Sequence, residues 1–278
     1  MNNVVGIDIG GTKTSIGLVN LRNGKVIEKI TFPSKTFQND EKNLKNIVKK
    51  TIDFNKKLKF KKIGIGVPEL INNNAIIKGA YNFKWNNKDL KKYFPKKYTI
   101  AIDSDVRNHL RAERFYGYGK NKKNYIYINV GTGLSYSHYK NNQIYSGANG
   151  YAIHFASSKI TLYNPKNNKK ISLVPEDFYS GKSIIKFQNK YKSNVQKLKY
   201  LNNVADSLAS LIGNLINTTD PNMIVFGGGV ILNNRNFKTF LFKNLKKYII
   251  STDSKKIKIY LTKLKEDTGL IGAAALHK

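Results

Sequence analysis

The chain has 278 residues, 40% hydrophobic and 24% charged, about twice the length of a typical single domain; it can build two α/β cores and is not a disordered polymer. No apolar run approaches the roughly 20 residues of a membrane-spanning helix, and with no cysteine and four histidines, disulfides and thiolate metal sites are excluded. The net charge of +32 raises polyanions as partners, yet only five of the 49 basic residues are arginine, and the lysines are spread along the chain among Asn, Ile and Tyr, which fits a compositional bias better than a clustered phosphate-clamping face.

The first residues run straight into an apolar strand pattern with no basic and apolar leader, so a soluble, cytoplasmic protein is expected. Val4, Val5, Ile7 and Ile9 flank Asp8; Gly10 and Gly11 break the chain; Ser15 to Val19 resumes an extended pattern. After the Asn23-Gly24 turn a third strand is predicted from Lys25 to Ile30, completing a meander. Leu44, Ile47, Val48, Thr51 and Leu58 then fall at helical spacing. Strands at 63–67 and 98–102 and a short helix over 106–115 close this half.

The pattern then restarts. Tyr125 to Tyr139 again reads as strand, Gly/Thr turn and strand, with a third strand at 143–145, which predicts an internal duplication. A helix carries Val204, Leu208, Leu211, Ile212 and Leu215 on one face and stops at Asp220-Pro221. Met223 to Phe226 is a buried strand ending in Gly227-Gly228-Gly229; a strand at 257–261 and a small-residue helix at 269–276 follow. The breaker-rich stretch 116–124 marks the expected boundary: residues 1–118, joined by 266–278, form one α/β domain and 119–265 the other, with a cleft between them.

The motifs with chemistry are turns and carboxylates. Gly10-Gly11-Thr12-Lys13-Thr14 between two strands offers backbone N–H groups and hydroxyls to phosphate oxygens, and Asp8 at the strand end can orient hydrated Mg²⁺. Alone it reads equally well as a plain hairpin turn. Gly131-Thr132-Gly133 occupies the equivalent turn of the second half, and Gly227-Gly228-Gly229, at the carboxyl end of a buried strand, is where a doubly wound sheet admits a nucleotide.

Together these motifs make the chain resemble the ROK family of sugar kinases and repressors, within the actin-like (ribonuclease H-like) ATPase superfold. The residues that carry the resemblance are Gly6 to Lys13, Gly131 to Gly133, Asp220 to Gly229, Gly147-Ala148-Asn149-Gly150 and Gly269 to Ala274, nearly end to end. It implies two similar α/β domains with an ATP and sugar cleft between them, ATP with Mg²⁺, phosphoryl transfer to a hexose or N-acylhexosamine at its 6-hydroxyl, and a homodimer. It also implies that Asp105, in the family's Asn-Asp position, is the catalytic base, with Glu113 eight residues on; the competing reading of Ser104 or Asp105 is a helix N-cap. Asn149 and Glu176 are implied sugar contacts.

The sequence departs from the family at several of these positions. The asparagine before the base is Ser104; the expected glutamate and histidine after Gly150 are His154 and Ser157; the cysteine-rich zinc loop is absent, so no zinc is expected. Where the family has Val-Pro-Gly, this chain has Val67-Pro68-Glu69, and Glu69 is expected to take over hydroxyl recognition, paired with His154, unless it is an exposed loop residue. A catalytically weakened sugar-binding or regulatory protein is the alternative function. The family's repressors carry an N-terminal helix-turn-helix; here the phosphate turn starts at Gly6, so no specific nucleic-acid partner and no membrane partner are expected.

Overall fold

A computed structural model describes residues 2–79 and 81–278. It opens on β1 (Asn3–Ile9), β2 (Lys13–Asn20) and β3 (Lys25–Pro33), the predicted antiparallel meander. β1 is buried almost throughout, which is why its sequence is nearly continuously apolar instead of alternating. Helix α1 (Asp40–Lys56) is capped by Asn39, whose side chain accepts from Lys42 N, and turns Leu44, Ile47, Val48 and Thr51 inward. β4 (Lys62–Val67) pairs in parallel with β1; the short strands β5 (Leu70–Ile71) and β6 (Ile77–Gly79) pair with each other; β7 (Thr99–Ser104) pairs in parallel with β4 and leads into α2 (Asp105–Tyr116). The sheet order is β3-β2-β1-β4-β7.

The second half repeats this plan. β8 (Tyr125–Val130), β9 (Leu134–Lys140) and β10 (Gln143–Tyr145) precede the hairpin β11 (Ile160–Asn164) and β12 (Lys169–Leu173). Helices α3 (Glu176–Tyr179), α4 (Gly181–Gln188) and α5 (Asn194–Thr219) follow, then β13 (Met223–Gly227), α6 (Gly229–Asn233), α7 (Arg235–Leu245), β14 (Lys258–Leu261) and α8 (Thr268–Ala274). The second sheet runs β10-β9-β8-β13-β14, the same order of roles as the first, with β8, β13 and β14 parallel. The duplication read from the sequence is therefore present as topology. As predicted, α5 stops at Asp220-Pro221, with Asp220 in the left-handed conformation at φ +40°.

The chain groups into two compact units: everything up to Lys123 with Ser137–Ala152 and Thr262–Lys278, and Asn124–Tyr136 with Ile153–Leu261. This differs from the expected split at 118/119 in one substantial respect, the placement of Ser137–Ala152 with the first unit. Hydrogen bonds within that unit explain it: Arg114 Nε donates to Tyr139 Oη at 2.8 Å, Asn73 Nδ2 to Ala148 O at 2.9 Å and Arg107 Nη1 to Gly150 O at 2.6 Å. Helix α8 closes the first unit by packing on β1, β4 and α2, at such close range that Gly64 has no room for a side chain beside Ala273 O, nor Gly272 beside Asn108 O. The core of the first unit gathers Val5, Ile7, Ile16, Ile63, Ile65 and Trp85; that of the second gathers Ile126, Ile128, Leu208, Ile212, Ile224 and Phe226. Among the described residues no helix is long and apolar enough to cross a membrane.

Candidate functional site

In the first unit the parallel strands β1, β4 and β7 bring their carboxyl ends together. Asp8 near the end of β1 is in register with Gly66 of β4, and Gly66 with Asp103 of β7, so Asp8, Glu69 and Asp105 leave the sheet at one edge. A Cβ on Gly66 would stand 3.6 Å from both Asp105 Cα and Asp8 Oδ1, so the Asp8 carboxylate and the backbone of Asp105 flank this glycine. Burial pushes the Asp8 carboxyl up to about 6, only partly relieved by Lys13. Burial, then the negative charges of Asp8 and Glu69, push Asp105 up to about 7, against the Val106 N–H bond at 2.6 Å. A carboxylate held near neutrality in this way can take a proton.

Ser104 stands at the N-cap position of α2 but makes no side-chain cap bond. It is fully buried, and its hydroxyl points to Asp105 Oδ1 at 3.4 Å. Ser104, which stands where the family has an asparagine, thus turns its hydroxyl to the candidate base. Asp103, two residues before that base, belongs to an ion cluster that the sequence reading missed. Arg107 Nε donates to its Oδ1 at 2.5 Å and Arg111 Nη2 to its Oδ2 at 2.6 Å. Burial alone would raise the Asp103 carboxyl, but the Arg111 and Arg107 guanidiniums outweigh it and hold it below the usual carboxylate range. Arg107 also holds Gly150 O, tying the Gly147–Gly150 loop, with its exposed Asn149, to the strand before Asp105. The available signal was compositional: three of the five arginines lie between 107 and 114, in a chain whose 49 basic residues are nearly all lysine.

The first phosphate turn is a tight hairpin closed by Gly10 N donating to Lys13 O at 2.9 Å. Thr12 and Lys13 are exposed at its tip. Thr14, expected to bind phosphate, is fully buried; its hydroxyl pairs with Ser34 Oγ at 2.8 Å, and Ser34 donates to Gly10 O at 2.7 Å. Thr14 therefore shapes the turn and does not present a donor to a ligand. Glu69 is also put to another use. It is 3% exposed, and its oxygens accept the N–H groups of Tyr81, Asn82 and Phe83 at 2.6, 2.7 and 2.8 Å. Three backbone amides occupy most of a carboxylate's acceptor capacity, which removes Glu69 from the sugar contacts expected of it.

In the second unit Gly131 N donates to Gly133 O at 3.1 Å, and Gly181 N at the start of α4 donates to Gly131 O at 2.7 Å, so the second turn is braced from α4. Thr132 is exposed at its tip. Glu176 Oε1 accepts from Leu134 N at 2.7 Å and lies so near Gly133 that a Cβ there would stand 2.6 Å from it. Glu176 Oε2 accepts from Ser157 Oγ at 2.5 Å, and Ser157 Oγ lies 3.0 Å from His154 Nδ1, so His154, Ser157 and Glu176 form one hydrogen-bonded chain beside the turn. Gly227-Gly228-Gly229 joins the same region: Gly228 adopts φ +97°, and a Cβ on it would meet Val130 C and O at 2.5 Å, so no other residue fits there. This unit thus assembles both glycine motifs with Glu176, His154 and Ser157.

For Mg²⁺, the observation that bears on fit is Asp8: a carboxylate raised by burial that Lys13 only partly offsets, with the negative charge of Asp105 nearby. Hard oxygen donors of this kind suit Mg²⁺ bound largely through water. Among the described residues there is no cluster of three His, Cys, Asp or Glu side chains able to hold a metal directly.

The model of the ROK family matches residues 4–161 and 164–278. A glucokinase of Thermotoga maritima is 23% identical over 99% of this chain and 97% of its own length. The xylose repressor of Bacillus spizizenii is 27% identical over 61% of this chain, which covers 48% of that protein. Among solved structures, a ROK family glucokinase from Streptomyces griseus in complex with glucose and AMPPNP superposes with a TM-score of 0.85 at 18% identity, covering 99% of this chain and 98% of that one.

Proposed function

The chain belongs to the ROK family, and on that premise we propose that it is an ATP-dependent sugar kinase, transferring the γ-phosphoryl group of ATP to the 6-hydroxyl of a hexose or N-acylhexosamine. The observation that carries this reading is Asp105, a carboxyl whose pKa is raised to about 7 at the start of α2, directly after β7 and near Asp8. The full-length likeness to a glucokinase supports it.

In this reading Asp105 accepts the proton of the sugar hydroxyl as that oxygen forms its bond to the γ-phosphorus and the bond to the ADP oxygen breaks. Backbone N–H groups of Gly10 to Thr12 and of Gly131 to Gly133, with the exposed Thr12 and Thr132 hydroxyls and Lys13, bind phosphate oxygens. Gly227 to Gly229 leave space for the adenosine side. Asp8 would hold Mg²⁺, which would supply neutralisation of the phosphate charge. Glu176, His154, Ser157 and Asn149 hold the sugar, with Ser104 and the Asp103–Arg107–Arg111 cluster keeping the base strand in place.

The second reading is a catalytically weakened sugar-binding or regulatory protein, and the observation in its favour is that His154 and Ser157, which replace the family's glutamate and histidine, form a hydrogen-bonded chain with the retained Glu176. The similarity to repressors is compatible with it. A coupled ADP-release assay against glucose, N-acetylglucosamine, N-acetylmannosamine, mannose and fructose separates the two. Sugar-dependent release with one of these establishes the kinase; saturable sugar binding without release establishes the second reading.

A further inference from the structure

The buried Glu69 stands just past β4 and holds a segment that lies outside both sheet and helix. Residues 81–84 have no strand or helix of their own, so their amides need a partner from elsewhere. Glu69 supplies it to three successive residues, Tyr81, Asn82 and Phe83. Asn82 also donates Nδ2 to Pro68 O at 2.8 Å, while its Oδ1 lies against the first phosphate turn: a Cβ on Gly11 would stand 2.6 Å from that oxygen. On the far side Phe83 stacks on Trp85 with ring centroids 4.1 Å apart, and the strap is tied to α1 by Lys84 N to Asp40 Oδ2 at 2.8 Å and Trp85 Nε1 to Asp40 O at 2.9 Å. One end of the strap is thus anchored at Asp40, the other at Glu69, with Asn82 pressed on Gly11 at the Glu69 end.

We propose that Glu69 is a positioning residue for phosphoryl transfer, which acts through Asn82 to fix the shape of the Gly10–Lys13 turn. The proposal rests on the kinase reading above. N–H bonds to an ionised carboxylate are among the stronger hydrogen bonds, and the three amides left behind by its removal have no ladder to join. The Asn82 end would then come free while the Asp40 end stays tied, and the turn would lose the side chain that backs it.

Steady-state kinetics on Glu69→Gly and Glu69→Gln, together with fluorescence of Trp85, the only tryptophan, tests this. In Glu69→Gly the KM for MgATP rises about tenfold, the loss expected for about one net hydrogen bond's worth of support, while the sugar KM stays within about twofold and Trp85 emission shifts to the red. Glu69→Gln retains an acceptor for Asn82 and Phe83 but turns an NH₂ toward Tyr81 N–H, so its MgATP KM falls between the two. An unchanged MgATP KM in a Glu69→Gly protein of wild-type circular dichroism overturns the proposal, and so does a rise confined to the sugar KM, which would make Glu69 a sugar ligand. If the wild-type chain releases no ADP with any sugar, the kinase reading fails, and MgATP titration of Trp85 fluorescence decides the role of Glu69. Binding about tenfold weaker in Glu69→Gly supports it; equal binding, or none to the wild type, overturns it.

Discussion

As the proposed base, Asp105 has to be anionic to accept a proton, in a place that makes the anion costly. Its carboxyl is pushed up from an ordinary 3.8 to about 7 by burial and by the charges of Asp8 and Glu69. In the folded chain it therefore keeps its proton over a range where the unfolded chain has lost it, so the folded state binds more protons and stability declines as pH rises from roughly 4 to 7. Asp105→Asn removes that decline. In EDTA and without nucleotide, the thermal midpoint of the variant should vary less between pH 5 and 8 than that of the wild type, and lie a few degrees above it at pH 8. The same substitution should lower sugar-dependent ADP release by about 10²–10⁴-fold while leaving MgATP binding nearly intact. Full turnover in Asp105→Asn would remove the residue from the chemistry, and an unchanged pH profile of stability would show that its carboxyl is not held up by the fold.

Among elements, what the sequence made legible was whatever repeats locally. The strand, glycine turn, strand unit at Asp8 to Val19 and again at Tyr125 to Tyr139 was visible because the buried first strand of each is continuously apolar and the hairpin turn that follows it carries Gly and Thr; the structure returns both units with the same sheet order. The hairpin β11–β12 was not legible, since its exposed Leu162 and Ile171 carry no core pattern, nor was α7. The site residues that went astray did so through partners distant in sequence. Thr14 meets Ser34, and Glu69 meets Tyr81 to Phe83, so neither hydroxyl nor carboxylate is free for the ligand that its local motif suggests. The Asp103–Arg107–Arg111 cluster was locally spaced on β7 and α2, but lysine-dominated charge hid it. Its fork geometry can be tested. Lysine at 107 cannot reach both Asp103 Oδ1 and Gly150 O as arginine does, so Arg107→Lys should cost about 1–3 kcal/mol of stability and release the Gly147–Gly150 loop. We expect the sugar KM to rise severalfold with the MgATP KM unchanged; an equal rise in both would mean that the cluster supports the whole unit and not that loop.

At the scale of the whole molecule the net charge of +32, from 49 basic against 17 acidic residues, acts in two opposite ways. Self-repulsion among unpaired lysines disfavours the compact state, whereas the field they produce favours the approach of an anionic nucleotide such as MgATP²⁻. Both are screened as salt shortens the Debye length from about 20 Å to about 6 Å between ~20 and ~300 mM. Across that range the thermal midpoint should rise by a few degrees while the KM for MgATP also rises severalfold, so that the protein becomes more stable and binds its nucleotide less tightly. The KM for an uncharged sugar should not move, because no net charge is brought together when it binds. A charge acting through a nucleic-acid face would behave differently: neutralising six to ten phosphates would give duplex affinity a log–log salt slope of roughly −5 to −9. Binding of random duplex DNA with so steep a slope, alongside an MgATP KM indifferent to salt, would reverse the assignment of the charge as background. A shallow slope for DNA with the opposed shifts in midpoint and MgATP KM would keep the lysines as a solvated field around a site built from glycines, threonines and carboxylates.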